Sequence, residues 1–347
     1  MKRFLINAAA FMTMAAMVSC GSEPEAPSQG SKTGFALSFF KNVNAIVEKG
    51  ENVVVSPYSA GVALSMLAEG AEGETRAEFD NALNGCIFKA EDLGNNDTIT
   101  VKSSNSVWID NDFSIRNSYM NLLEKDFDAF IDALSFADPA TVKAINDWCA
   151  ENTNGKIDEI IDRLDPSAVM VLVNALYFNA PWEAPFDPRS THETVFHGSK
   201  GDSESMFMSG KKTCGYVEYK GNQMVALPYK DGRYAMYILL PAENLKESDL
   251  LSYMSESGVD EVMKNMSRKK VKLTMPKFKV EHEMSLVKTL EAMGVRSVFT
   301  SAADLTGIAH GPLAVSDVFQ KTVVDVDESG SEAAAVTTIM VNMTSAR

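Results

Sequence analysis

Close to its C-terminal end, the chain carries the run Gly330-Ser331-Glu332-Ala333-Ala334-Ala335-Val336-Thr337-Thr338, directly after a strand-like segment, Val323-Val324-Asp325-Val326-Asp327. This pairing constrains the fold more than any other feature, because the run suits neither a good strand nor a good loop. A glycine able to act as a hinge is followed by small residues, and β-branched and apolar residues continue to Val341. Such a segment can stand in solvent and later enter a crowded sheet as an extra strand, like a loaded spring. On entry, alternate side chains point to opposite faces. Counting from Ser331, the inward set is Ser331, Ala333, Ala335, Thr337, Ile339, Val341 and Met343. None of these is charged and none is proline, either of which would oppose insertion. The opposite set, Glu332, Ala334, Val336, Thr338, Met340 and Asn342, is expected to lie where polarity is tolerated.

With 347 residues, of which 45% are hydrophobic and 23% charged, the chain has enough material for a sizeable core. The formal charge of −15 argues against nucleic acid or a polyanion such as heparin as the main partner. The one basic cluster, Lys264 to Lys272, leads into an alternating pattern and reads as a solvated strand edge.

Lys2-Arg3 followed by apolar Phe4 to Met17 reads as a signal peptide over 1–19, too short for a membrane span. Met17-Val18-Ser19-Cys20-Gly21 resembles a bacterial lipoprotein processing site, with Met17 in place of the usual leucine. Cys20 is therefore expected to take a lipid, with ordinary secretion as the alternative, and 20–33 to be a flexible tether. This places the protein across the inner membrane, anchored to a bacterial and most simply an outer membrane, at the periplasmic or cell-surface side. The lipid is its only expected membrane contact. Cys86, Cys149 and Cys214 give no disulfide framework, and the four histidines (His192, His197, His282, His310) show no ligand spacing. No metal and no cofactor are expected.

One continuous domain is expected over 34–347, with an α+β fold. Helices are predicted over Phe35 to Val47, from the Ser56-Pro57 start through Ala60 to Ala68, over Asn117 to Phe130, over Thr141 to Glu151, and over Ser285 to Met293 before Gly294. Strands are predicted over Asn105 to Asp110, Val169 to Phe178, Met224 to Leu227, Ala235 to Leu240, Lys270 to Met275, Phe278 to Glu281 and Lys321 to Val326. The apolar Val169 to Phe178 run has the look of a central strand buried on both faces.

A series of short blocks then points to a family. They are Asn52 to Ser59, Leu67 to Thr75, Ile145 to Trp148 with Thr153 to Ile157, Val173 to Phe186, Leu227-Pro228-Tyr229 leading to Ile238-Leu239-Leu240-Pro241, Met275 to Phe278, Ala303 to Ile308, and Glu328 to Ala335. In this order, over nearly the whole chain after the leader, they resemble the serpins. The resemblance implies a bundle of helices with three β-sheets and a reactive loop, exposed or inserted. It implies a suicide-substrate inhibitor of serine and possibly cysteine proteases. The target cleaves the loop and becomes esterified to it, and the loop then enters the main sheet and carries the protease along. Glu328, Gly330, Ser331, Glu332, Ala333, Ala334 and Ala335 match the hinge, set at 328–337, with the reactive loop at 338–347. By the family's spacing from Gly330, cleavage falls between Thr344 and Ser345, with Met343 and Arg347 as alternative sites. Apolar Ile339 to Met343 suits elastase-, subtilisin- or chymotrypsin-like clefts, and Arg347 a trypsin-like one.

Ser56, Ser59 and Asn174 match the polar cluster under the sheet opening, and Trp182 the tryptophan at its top. Gln320 stands where the family usually has histidine; an amide both donates and accepts, so the gate is expected to be kept but insensitive to pH. Serpins normally continue some tens of residues past the loop, so ending at Arg347 reads as the large fragment of a loop-cut molecule or as a truncated chain. A monomer with no catalytic residue of its own is expected. The rival reading is a non-inhibitory serpin acting as a binding or chaperone module. An enzyme is disfavoured, since no GxSxG, HExxH or Walker pattern occurs.

Overall fold

The computed structural model describes residues 30–48, 50–198, 200–242 and 255–344. Helix α1 (Lys32–Ile46) is capped by Ser31, whose Oγ accepts from the Gly34 N–H at 3.0 Å, so helical order starts slightly before residue 34. Helix α2 (Pro57–Ala68) begins at the Ser56-Pro57 signal, with Ser56 Oγ accepting from the Ser59 N–H at 3.2 Å, and its residues from Ser59 to Ala68 are all buried. Helix α3 (Gly73–Ala82) was not apparent in the sequence because only Thr75, Phe79 and Ala82 face inward on an otherwise charged helix.

After strand β1 (Thr100–Asp110) comes α4 (Asn117–Phe127), which stops three residues short of the expected Phe130. Asp128 adopts a left-handed conformation (φ 50°) and ends the helix, and the chain turns at once into β2 (Ala129–Leu134). Helix α5 (Pro139–Asn152), capped by Asp138, is closed by left-handed Asn154 and Gly155. Strand β3 (Ala168–Pro181) is buried almost throughout, as the apolar run predicted. Next come β4 (Thr191–Gly198), the 19-residue β5 (Gly201–Tyr219), β6 (Asn222–Pro228) and β7 (Ala235–Leu240). Helix α6 (Glu256–Asn265), β8 (Ser267–Pro276), β9 (Phe278–Ser285), α7 (Val287–Ala292), β10 (Leu313–Val326) and β11 (Gly330–Met343) complete the chain. Strands β4 and β5 went unseen in the sequence because their outer halves are solvent-exposed and lack a clean apolar alternation.

Among the described residues the strands form two sheets. The six-stranded sheet has the order β2-β1-β3-β11-β10-β9 and is antiparallel except for the β1–β2 pair. The second sheet has the order β4-β5-β6-β7, with β8 paired to β5. Where the resemblance implied three sheets, pairing here runs without a break through β5. That strand holds β4 and β8 along most of its length and β6 at its end. The basic residues of β8 are exposed, as expected for a solvated edge.

Three apolar clusters hold the sheet in place. Beneath it, Phe35, Leu64, Leu67, Leu123 and Leu290 pack with Ile339 and Val341 of β11. Between the sheets, Trp182, Phe186, Met208, Tyr229 and Met236 pack with Val326. Over the opposite face, Ile145 and Cys149 of α5, with Ile157, cover Val171, Val173, Ala334 and Val336. Cys86, Cys149 and Cys214 are buried thiols, and burial pushes the Cys149 pKa up to about 12.

Candidate functional site

Strand β11 is the segment singled out at the start, and it lies in the middle of the larger sheet. Its register against β3 runs from Gly330 opposite Pro181 to Asn342 opposite Ala168, and against β10 from Ser331 opposite Val326 to Met343 opposite Leu313. Residues 338–343, assigned to the reactive loop, are thus strand. Ladder hydrogen bonds contribute about 1 kcal/mol each, and ordering costs about 1–2 kcal/mol per residue, so the ladders alone do not fix the strand. Side-chain burial on both faces decides its stability. The expectation that the even-numbered face tolerates polarity is corrected here: Ala334, Val336 and Thr338 are buried under α5 and the segment after it. Charge or an amide appears on that face only toward the ends, at Glu332 and Asn342, and Thr338 is the one polar side chain in its buried middle.

The hinge is docked against the end of β3. Asp327 Oδ1 accepts from the Ser329 and Gly330 amides at 2.7 and 3.1 Å, and the Asp327 N–H donates to Gly330 O, forming the tight turn from β10 into β11. Gly330 is required for close approach: a Cβ there would lie 2.2 Å from Ala180 O. Trp182 Nε1 donates to Asp327 O at 2.9 Å, the Trp182 amide donates to Ser329 O, and the Phe186 amide donates to Glu328 O. The Trp182 indole stacks on Tyr229 with centroids 4.6 Å apart and planes at 10°. Glu328 receives Lys277 Nζ at 2.7 Å and the Thr191 hydroxyl at 2.7 Å. Burial opposes its ionisation, but these two partners outweigh it and hold the carboxyl below the ordinary glutamate range.

Midway along β11 lies a buried polar chain. Gln320 Nε2 donates to Thr337 Oγ1 at 2.8 Å and to Ser56 O at 3.0 Å, while the Ser56 amide donates to Gln320 Oε1 at 2.8 Å. The Thr337 and Ser59 hydroxyls are 2.9 Å apart, and Ser59 Oγ donates to Asn174 O at 3.4 Å. Asn174 Nδ2 donates in turn to Ser103 Oγ and Asn105 Oδ1, both at 2.9 Å. The structure therefore brings Ser56, Ser59, Asn174 and Gln320 together and leaves Trp182 apart. Trp182 belongs to the hinge dock, eight residues beyond Asn174 along the β3 side, roughly 27 Å at the rise of a strand.

On the other face, Glu332 pairs with Lys156 at 2.7 Å and accepts from the Tyr177 hydroxyl at 2.7 Å. Here too burial disfavours the charge, and the Lys156 and Tyr177 contacts prevail to lower the pKa. Sequence reasoning missed Thr337 as a member of the polar chain, and Tyr229, Lys277, Lys156 and Tyr177 as partners of the hinge region. All except Thr337 stood inside blocks quoted for the resemblance, but nothing local reveals which block meets which.

At the far end Met343 is half exposed and its amide donates to Ser167 O, while the Thr344 amide donates to Pro312 O at 3.0 Å. Ser345, Arg347 and Cys20 lie outside the described residues.

The family model described as "Serpin (serine protease inhibitor)" matches residues 30–347. Iripin-2 of Ixodes ricinus is 30% identical over 96% of this chain and 88% of its own length. Intracellular coagulation inhibitor 1 of Tachypleus tridentatus is 31% identical over 90% of this chain and 79% of its own. Among solved structures, the thermophilic serpin Tengpin in the latent state is similar at 31% identity and a TM-score of 0.82, covering 90% of this chain and 88% of that one. The fold, the matched span and these identities lead to one conclusion: the chain belongs to the serpin (serine protease inhibitor) family.

Proposed function

We propose that this serpin is an inhibitor, a suicide substrate for serine and possibly cysteine endopeptidases. The observation that carries the reading is β11 itself: Gly330 to Met343 fits between β3 and β10 with no proline and no charged side chain on the face toward α2. In the mechanism, the protease's nucleophilic serine attacks the carbonyl of Thr344. The bond to Ser345 breaks, its amine leaves with a proton, and an ester to the protease remains. Entry of the strand then competes with hydrolysis of that ester and carries the protease to the far end of the sheet, where its active site is distorted. Elastase-, subtilisin- and chymotrypsin-like enzymes suit the apolar residues before Thr344, and a trypsin-like enzyme suits Arg347. The names of a relative, intracellular coagulation inhibitor 1 of Tachypleus tridentatus, and of the family itself support inhibition as the general activity.

The protein acts as a monomer, held to a bacterial membrane through lipid on Cys20 and facing the periplasm or the exterior. Incubating the full-length protein with a panel of these proteases and running denaturing gels is expected to give a covalent complex, with mass spectrometry placing the cut after Thr344. Clean cleavage with no complex overturns inhibition and favours a binding module. Incorporation of labelled palmitate, lost in Cys20→Ser, is the expected sign of the anchor; no label in the unaltered protein removes that part of the proposal.

A further inference from the structure

The dock that receives the hinge is itself held by a buried cation. The turn from Trp182 to Phe186 offers the hinge the Trp182 amide, the Trp182 indole N–H and the Phe186 amide. The turn is tied on its other side by the Glu183 amide, which donates to Pro228 O. Behind it lies Lys212 of β5, only 4% exposed although it is a lysine. Its ammonium donates to the carbonyl of Ala184 and sits 3.6 Å from the centroid of the Phe186 ring. A buried ammonium is costly unless it is partnered, and a carbonyl oxygen with an aromatic face is a matched pair of partners. Gly210, two residues earlier on the same strand face, lies beside both groups: a Cβ there would make ordinary van der Waals contact, 3.4 Å from the Lys212 stem and 3.5 Å from the Phe186 ring. Phe186 is itself buried, and Cys214 continues the same face into the cluster that contains Trp182 and Tyr229.

We propose that Lys212 is a positioning residue for strand insertion: by gripping Ala184 O and Phe186 together it presets the Trp182–Phe186 turn to receive the hinge. The proposal rests on the inhibitory reading above. In that reading insertion races hydrolysis of the ester, so a loosened dock slows insertion and diverts protease to turnover. It leaves untouched the encounter between protease and loop, which occurs elsewhere. Lys212→Met keeps the stem and removes the cation.

The test measures the association rate constant and the stoichiometry of inhibition for the full-length protein against a protease that forms the covalent complex. For Lys212→Met the stoichiometry is expected to rise about threefold or more, as loss of a charge-assisted bond and a cation–π contact implies, with the association rate constant unchanged to within about twofold. Lys212→Arg, which keeps a cation and donors, is expected to restore most of the loss. A lysine that merely fills space predicts equal stoichiometry for Lys212→Met and the unaltered protein, and that result overturns the inference. If Lys212→Met does not fold, Phe186→Leu decides instead, and unchanged stoichiometry there also overturns it. Failure of the unaltered protein to form any complex overturns the inhibitory reading, a distinct outcome.

Discussion

The face of β11 turned to α2 and the face turned to α5 are both buried along the strand's middle, yet different chemistry holds them. Toward α2 the centre is polar: Thr337 links Gln320 to Ser59, and the Thr337 hydroxyl has a partner on each side. Toward α5 the centre is apolar, with Ala334 and Val336 against Ile145, Cys149 and Ile157. Thr338 also looks that way, and its hydroxyl is buried without a hydrogen-bond partner among the described residues. Charge appears on the α5 side only at Glu332, which has Lys156 beside it. An apolar face accepts any strand of suitable volume, whereas a chain of hydroxyls and an amide accepts one register. The α2 face therefore specifies where the strand stops, and the α5 face supplies area.

The largest effect should come from forcing a charge into the α2 face at the hinge. Ser331→Arg places a guanidinium at a position 6% exposed, opposite Ala180 and Val326. We expect the protein to become a plain substrate, its stoichiometry of inhibition rising about tenfold or more on kinetic titration; undiminished inhibition would break the insertion mechanism. Next, Thr337→Val strips the hydroxyl that Gln320 and Ser59 share and should lower the stability of the inserted form by about 1–3 kcal/mol in denaturant melts. Its counterpart across the strand, Thr338→Val, removes a hydroxyl that has no partner and should be neutral or slightly stabilising. If the two variants cost the same, the distinction between the faces is wrong.

A smaller effect belongs to Glu332. Its pKa lies below the ordinary 4.5 when the strand is in place, so its contribution is present above that value and is lost as pH falls through the lowered one. Melts of the inserted form should therefore weaken on acidification below about pH 4.5, by about 1 kcal/mol from this pair, and Lys156→Met should flatten that part of the profile. An unaltered acid limb in Lys156→Met would assign it to other carboxylates, Glu328 first among them. Between pH 5 and 8, by contrast, the Gln320 cluster carries no titrating group. Gln320→His should add a slope there beyond that of the unaltered protein.

Much of this was legible in the chain. The Ser56-Pro57 start marked α2 because cap and proline act locally, and the unbroken apolar run marked β3 because burial on both faces leaves no alternation. Helix α3 and strands β4 and β5 were not legible, since their inward faces are too narrow or too exposed to leave a period. The hinge was visible through its small residues, but the reason for Gly330 was not. It makes room for Ala180 O, a neighbour 150 residues away.

The sequence by itself determined that a segment fit to lie within a sheet follows Asp327, and that one of its faces is free of charge. These are local properties of composition and of the two-residue period. Only the tertiary structure decided that the other face is equally covered, that Thr337 completes a polar chain with Ser56, Ser59, Asn174 and Gln320, and that Trp182 serves the hinge rather than that chain. Only it showed Lys212 behind the dock. The physical reason is that hydrogen-bond satisfaction and close packing are pairwise properties of residues far apart in the chain, fixed when β3 and β10 take β11 between them.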